Sequence, residues 1–142
     1  LLTLFVSPEL LEGAISFQAT KLVSQTDDPA IARHYEIMAD YGGPDPTQLT
    51  VYAQLKAELA VEILSRACDN LTRQGVMDAV NSIKNWHSDL LLDEVNITFS
   101  ETDHTVLQTG RMLQLVVEDG KGRFEYFGPL YTFGEEGAPQ EG

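Results

Sequence analysis

The sequence predicts an α/β fold with about three main helices, short strands and a C-terminal β-hairpin. In the middle of the chain, apolar residues recur every three or four positions within segments that open on helix-capping residues, which is typical of helices. In the last third the apolar residues alternate with polar ones or run together, which is typical of strands. Asp119-Gly120 separates two such runs, and this dipeptide favours a tight hairpin turn.

The three helices are predicted over residues 28–40, 46–68 and 73–86. Asp28 precedes Pro29, and Asp45 precedes Pro46 in the same way. An Asp at the N-cap accepts hydrogen bonds from free backbone amides, and a proline in the first turn loses no hydrogen bond. Thr72 is the predicted N-cap of the third helix.

Strands are predicted on both sides of the helical region. Residues 1–6 are rich in strand formers, and residues 14–18 and 96–100 alternate apolar with polar side chains. Residues 112–118 are predicted to form a strand that is buried on both faces. The turn at 119–122 then leads into a returning strand.

The chain has 142 residues, which is long enough for a sizeable core. We predict one region over residues 1–133, followed by a disordered tail over 134–142 that has almost no apolar side chains.

The first residues contain neither an initiator methionine nor a basic signal segment, so we expect a piece of a longer protein. No apolar run reaches the roughly 18 residues that a membrane helix needs.

The charge of the chain disfavours several partners. The formal net charge is −13, and acidic residues are spread along the sequence rather than grouped in one run. Such a chain repels phosphate backbones and anionic lipid surfaces, so nucleic acid is not an expected partner. A single cysteine, Cys68, excludes a disulfide within the chain, and we expect its side chain to be buried at the end of an apolar helix.

Residues with catalytic or metal-binding chemistry are few and scattered. His34 and Glu36 have the spacing of zinc deaminases, but the P-C-x-x-C segment that supplies their two cysteine ligands is missing, so we expect no metal and a solvated His34. Asp103 and His104 resemble an acid–base pair without a nucleophile or a phosphate-binding loop, which favours a polar loop. The sequence therefore predicts no catalytic residues, no metal and no cofactor.

A series of weak motifs occurs in an informative order over roughly residues 9–128. Glu12-Gly13 comes first, followed by the Asp-Pro helix, and then by a helix that carries Tyr52-Ala53. A shorter helix, the segment around Phe99 with His104, and the hairpin complete the series. In order and spacing this resembles the C-terminal region of type I periplasmic binding proteins, above all the leucine/isoleucine/valine-binding branch.

The resemblance implies the solute-binding component of a bacterial ABC importer, located in the periplasm or anchored outside the membrane. Such a protein closes two α/β lobes around an amino acid or a similar small polar solute and passes it to an ABC permease. It needs no cofactor and is not an enzyme. The groups that bind the solute's carboxylate and ammonium are implied to lie upstream of this chain. One specificity position falls within it, at Thr47, where family members often have an aromatic residue.

Two other functions remain open from the sequence. A ligand-sensing domain of a receptor or regulator with the same fold would have the same motifs. A small unrelated enzyme would use Asp103 and His104. We also expect the chain to form a homodimer, because the helix over 46–68 is apolar around much of its circumference and separation from a second lobe would expose it.

Overall fold

The computed structural model describes residues 6–133 and 139–141, and they form two units. The sheet unit comprises residues up to 19 and from 108 onwards, and the helical unit comprises residues 20–107. The chain has mixed α/β structure with three α-helices, short strands and a C-terminal hairpin, so the predicted architecture is confirmed. None of the helices among the described residues is long and apolar enough to cross a membrane.

The sheet unit is an antiparallel sheet with the strand order β1-β2-β3-β4. The strands are β1 (Ile15–Gln18), β2 (Thr109–Glu118), β3 (Lys121–Phe133) and β4 (Pro139–Glu141), and a short 3₁₀ helix (Pro8–Leu11) precedes them. The predicted strand at 1–6 lies outside the described residues except for Val6. The predicted tail over 134–142 also lies largely outside them. Its residues Pro139–Glu141 pair with β3, which backbone hydrogen bonds allow without apolar side chains.

The hairpin between β2 and β3 turns at Asp119 and Gly120, as predicted. Both residues have positive φ angles, 51° and 72°, which is the geometry of a type I′ turn. The strand β2 is not buried on both faces as predicted, because Leu113 and Leu115 are buried while Gln114 between them is exposed. An antiparallel sheet with one covered face produces this alternation.

The helical unit contains α1 (Pro29–Asp40), α2 (Gln48–Arg66) and α3 (Arg73–Asn81). The side chain of Asp28 accepts hydrogen bonds from the amides of Ala30 and Ile31, at 2.9 and 3.4 Å, and so caps α1. Thr72 accepts from the amide of Gly75 at 3.1 Å and caps α3 in the same way. These local signals explain why α1 and α3 start within one residue of the predicted positions. The predicted cap of the second helix, Asp45, was wrong, because Thr47 caps α2 and the helix starts at Gln48.

The third helix is shorter than the predicted 73–86. It ends at Asn81, and the chain then becomes extended, so that Trp86 forms an isolated antiparallel bridge with Ile97. The predicted strand at 96–100 is therefore a single bridge rather than part of a ladder. Its predicted alternation is nevertheless present, because Ile97 and Phe99 are buried and Thr98 is exposed.

The core of the helical unit lies between the helices and the long irregular segment after α3. Its largest side chains with almost no exposed surface come from all of these parts: Ile31, His34, Val51, Leu55, Ile83, Leu90, Leu91, Val95 and Ile97. Apolar residues from 83–97 therefore cover the inner faces of α1 and α2. Burial of this kind holds an irregular segment in place without regular pairing.

A partly buried ion pair connects the start of the helical unit to the cap of α1. The Nζ atom of Lys21 lies 2.8 Å from Oδ2 of Asp28 and 3.6 Å from Oδ1 of Asp93. Burial alone would lower the pKa of Lys21, but its hydrogen bond and its attraction to the two carboxylates outweigh this and raise the pKa. Burial likewise opposes ionisation of Asp28, but Lys21 and the capped amides hold its pKa below the usual value.

This ion pair should stabilise the fold over a defined range of pH. The contribution of Asp28 is present above the usual carboxyl pKa of 3.8 and is lost as the pH falls through its lower folded value. That of Lys21 is present below 10.5 and is lost as the pH rises through its higher folded value. We expect Lys21→Met to cost about 1 kcal/mol near neutral pH and less in strong acid, as measured by urea denaturation. Arg33→Met, which removes an exposed ion pair with Glu36, should cost less than about half as much; equal costs for the two variants at neutral pH would contradict the prediction.

Candidate functional site

The most complete candidate site is a solvent-open cavity of about 460 Å³ on the helical unit, lined by half-buried and exposed residues. Its lining comes from α1, α2 and the segment after α3: Ile37, Gln54, Ala57, Glu58, Val61, Glu62 and Trp86. Small-molecule sites in proteins are typically of this size and combine apolar walls with a few polar groups. The lining contains two carboxylates and no basic side chain.

A row of hydrogen bonds leads from the buried interior to this cavity. The Nε2 atom of His34 lies 2.8 Å from Oγ1 of Thr50, and Nδ1 lies 2.7 Å from Oε1 of Gln54. The amide nitrogen of Gln54 donates to Oε1 of Glu58 at 2.8 Å, and the hydroxyl of Ser88 donates to Oε2 of Glu58 at 2.6 Å. Each of these side chains therefore has a polar partner on the path from His34 to Glu58.

The chemistry of the partners fixes the direction of these hydrogen bonds. An ionised Glu58 can only accept, so the nitrogen of the Gln54 amide faces it and the oxygen faces His34. Because that oxygen also only accepts, Nδ1 of His34 carries a hydrogen. The donors therefore point from His34 towards Glu58, and Ser88 adds a second donor, so both oxygens of Glu58 receive hydrogen bonds.

The prediction that His34 is solvated was wrong, because its side chain has no exposed surface. The reason is that α1 packs against α2, where Thr50 and Gln54 lie one turn apart and satisfy both ring nitrogens. No group of three or more histidine, cysteine, aspartate or glutamate side chains among the described residues could hold a metal ion.

Thr47, the predicted ligand residue, is the N-cap of α2. Its side-chain oxygen accepts from the amide of Thr50 at 3.3 Å, and the hydroxyl of Thr50 accepts from the amide of Thr47 at 2.9 Å. This reciprocal arrangement forms a capping box. Thr47 is exposed and is not part of the lining of the 460 Å³ cavity.

Replacement of Thr47 by alanine should destabilise the protein by about 1 kcal/mol, because the first turn of α2 loses its cap. Chemical denaturation would measure this. Thr47→Ser is the matched control, since it retains the oxygen that accepts from Thr50 and should cost only a few tenths of that amount. A Thr47→Ala protein as stable as the parent would show that the cap contributes nothing.

Asp103 and His104 lie in a loop and have separate partners. The Oδ1 atom of Asp103 accepts from the amide of Thr105 at 2.8 Å, and Nε2 of His104 lies 2.8 Å from Oδ1 of Asn81. The ring of His104 also lies 6.0 Å from that of Phe99. The expected burial of Cys68 was wrong: it is exposed, because α2 ends at Arg66 and Cys68 lies in the turn that follows.

A second, smaller cavity of about 200 Å³ lies on a different side of α2 and is almost entirely apolar. Its lining includes Tyr52, Leu59, Ile63, Val106 and Leu107. Burial raises the pKa of the Tyr52 hydroxyl above 10.0, and a hydrogen bond with Thr20 partly offsets this. Lys56 is the one charged residue in its described lining, which contains no carboxylate.

Sequence reasoning did not single out Gln54, Glu58, Ser88 or Trp86. One signal was present: Gln54 and Glu58 are polar and four residues apart, which places them on the same side of a helix. Comparison with known proteins finds no family model that matches the chain, and neither a curated protein nor a solved structure matches it.

Proposed function

We propose that this chain is the C-terminal region of an extracytoplasmic solute-binding protein of a bacterial ABC importer, of the type I periplasmic class. Its role is to bind an amino acid or a similar small polar solute and to deliver it to an ABC permease, without catalysis. The complete protein acts in the periplasm or anchored at the outer side of the cell membrane. The protein needs no cofactor to bind its solute.

The observation that carries the proposal is the order of the elements. The resemblance implies three helices after Glu12-Gly13, then a strand around Phe99 and a final hairpin. The helices and the hairpin occur in this order, whereas the segment before Phe99 forms only an isolated bridge between Trp86 and Ile97. The resemblance implies that Tyr52-Ala53 lies near the start of the long helix. In the structure this pair lies in the second turn of α2. These agreements support the class of fold from which the function follows.

Two further features favour binding over catalysis. The polar side chains that line the larger cavity already donate to or accept from structural partners, as in the row from His34 to Glu58. Asp103 and His104 bond to Thr105 and Asn81, respectively, and these bonds position a loop. Neither arrangement provides an activated nucleophile.

Calorimetric titration with the twenty amino acids tests this proposal. The complete polypeptide that carries this chain should bind at least one of them with micromolar affinity or better and return it chemically unchanged. The chain of 142 residues alone should bind the same compound weakly or not at all, because its principal ligand groups are implied to lie upstream. Conversion of the ligand, or no binding by the complete polypeptide, would overturn the proposal.

The separated chain should also form a homodimer. Several apolar side chains of the helical unit are exposed, including Leu49, Val61 and Leu64 of α2 and Leu71 beyond it. Burying apolar surface contributes roughly 25 cal/mol per Å², whereas repulsion between charges is screened within about 8 Å at physiological salt. Sedimentation velocity should therefore show a dimer whose formation increases with salt. A strict monomer at about 0.5 M salt, where the screening length is roughly 4 Å, would contradict this.

A further inference from the structure

Glu58 lies at the edge of an apolar cavity, and its carboxylate has no cationic partner among the described residues. Among the described residues no ion pair involves Glu58, although Gln54 and Ser88 each donate a hydrogen bond to it. Glu62, the other acid in the lining, pairs with Arg66 at 2.7 Å. The two acids are therefore not equivalent: Glu62 is neutralised within α2, and Glu58 keeps an uncompensated negative charge.

The walls around Glu58 are apolar and aromatic. Trp86 lines the cavity together with Ile37, Ala57 and Val61. The backbone of Trp86 is fixed by two hydrogen bonds with Ile97, at 2.9 and 2.7 Å. An indole and a carboxylate that line the same cavity form a combination that attracts organic cations, through the ring's negative face and through charge.

We propose that this cavity binds a small organic ammonium ion. Its charged group would lie at Glu58 and against the indole of Trp86, and its apolar part would contact Ile37 and Val61. A compact inorganic cation fits less well, because it needs several oxygen ligands and the walls are mainly apolar. The ligand also lacks a carboxylate of its own, since the uncompensated charge of Glu58 would repel it.

This site is separate from the solute site of the proposed transport function, whose ligand groups are implied to lie upstream, and does not depend on it. The distinction is chemical: an amino acid carries a carboxylate, whereas the cavity selects a cation without one. A result for choline would therefore neither support nor contradict the binding of an amino acid elsewhere in the complete protein.

Fluorescence titration with choline tests the proposal, because Trp86 is the single tryptophan of the chain. Choline chloride should change its emission saturably, measured at constant ionic strength against sodium chloride. The neutral isostere 3,3-dimethylbutan-1-ol has the same shape without the charge and should bind at least about tenfold more weakly. No saturable change with choline, or equal affinity for the neutral isostere, would overturn the proposal.

Substitutions locate the site. Glu58→Gln should weaken choline binding about tenfold, whereas Glu101→Gln, which makes the same charge change in an exposed loop, should leave it unchanged. Val61→Lys provides a second variant that leaves the buried core intact, since Val61 is 64% exposed. A lysine there would place its own ammonium near Glu58, one turn away, and should compete with choline. If both Glu58→Gln and Val61→Lys bind choline as the parent does, the site is not in this cavity.

Discussion

His34→Ala should be the most destabilising of the three possible histidine-to-alanine substitutions, by about 3 kcal/mol in the free energy of unfolding. The substitution leaves a cavity in a position without exposed surface and removes the hydrogen-bond partners of Thr50 and Gln54. A buried polar group that loses its partner costs about 1–3 kcal/mol, and the lost packing adds to this. Urea denaturation followed by circular dichroism would measure the change.

His104→Ala is the matched control for this prediction. His104 is exposed and contributes one hydrogen bond, to Asn81, so its replacement should cost less than about 1 kcal/mol. The two variants differ in burial and in the number of partners but not in the type of residue removed. Similar costs for both would show that the row of hydrogen bonds from His34 to Glu58 does not stabilise the helical unit.

Leu55→Ala should destabilise the protein by a comparable amount, about 3 kcal/mol. Leu55 lies on the inner face of α2 with 2% of its surface exposed, and removing its three outer carbons leaves a void in the core of the helical unit. The control lies on the same helix: Leu64 is 53% exposed, and Leu64→Ala should change stability by less than about 0.5 kcal/mol. Thermal and urea denaturation of the two variants would give the comparison.

A large cost for Leu64→Ala would contradict this assignment of the two faces of α2, unless it depends on protein concentration. A cost that increases with concentration would instead locate Leu64 in the homodimer interface. Sedimentation of the same variant at several concentrations separates these two causes, because only the second reduces dimer formation.

Local signals in the sequence were sufficient to predict where α1 and α3 begin and where the hairpin turns. Asp28 and Thr72 cap their helices through their own side chains, and Asp119 with Gly120 forms the tight turn, so each structure depends on residues within a few positions. The extended course after α3 was harder to predict, because Trp86 pairs with Ile97, eleven positions later. Local periodicity contains no information about such a pairing.

The candidate site depends even more on distant residues. His34 is buried because Gln54 and Thr50 meet its ring from another helix, and Glu58 receives a hydrogen bond from Ser88, thirty positions away. A histidine on a short helix is more often solvated when its sequence neighbours alone are considered. Packing between α1 and α2 determines that His34 is buried, and the cavity beside Trp86 results from the same packing.

The most direct test of the transport function is the uptake of labelled amino acids by cells in which the gene for the complete protein has been deleted. The account predicts that import of at least one amino acid falls to background and that the complete gene restores it. If the protein were instead a ligand-sensing receptor or regulator, its deletion would alter a signalling or transcriptional response. The initial rate of uptake by permease that is already present would then be unchanged. Unchanged uptake of every labelled amino acid would contradict the account.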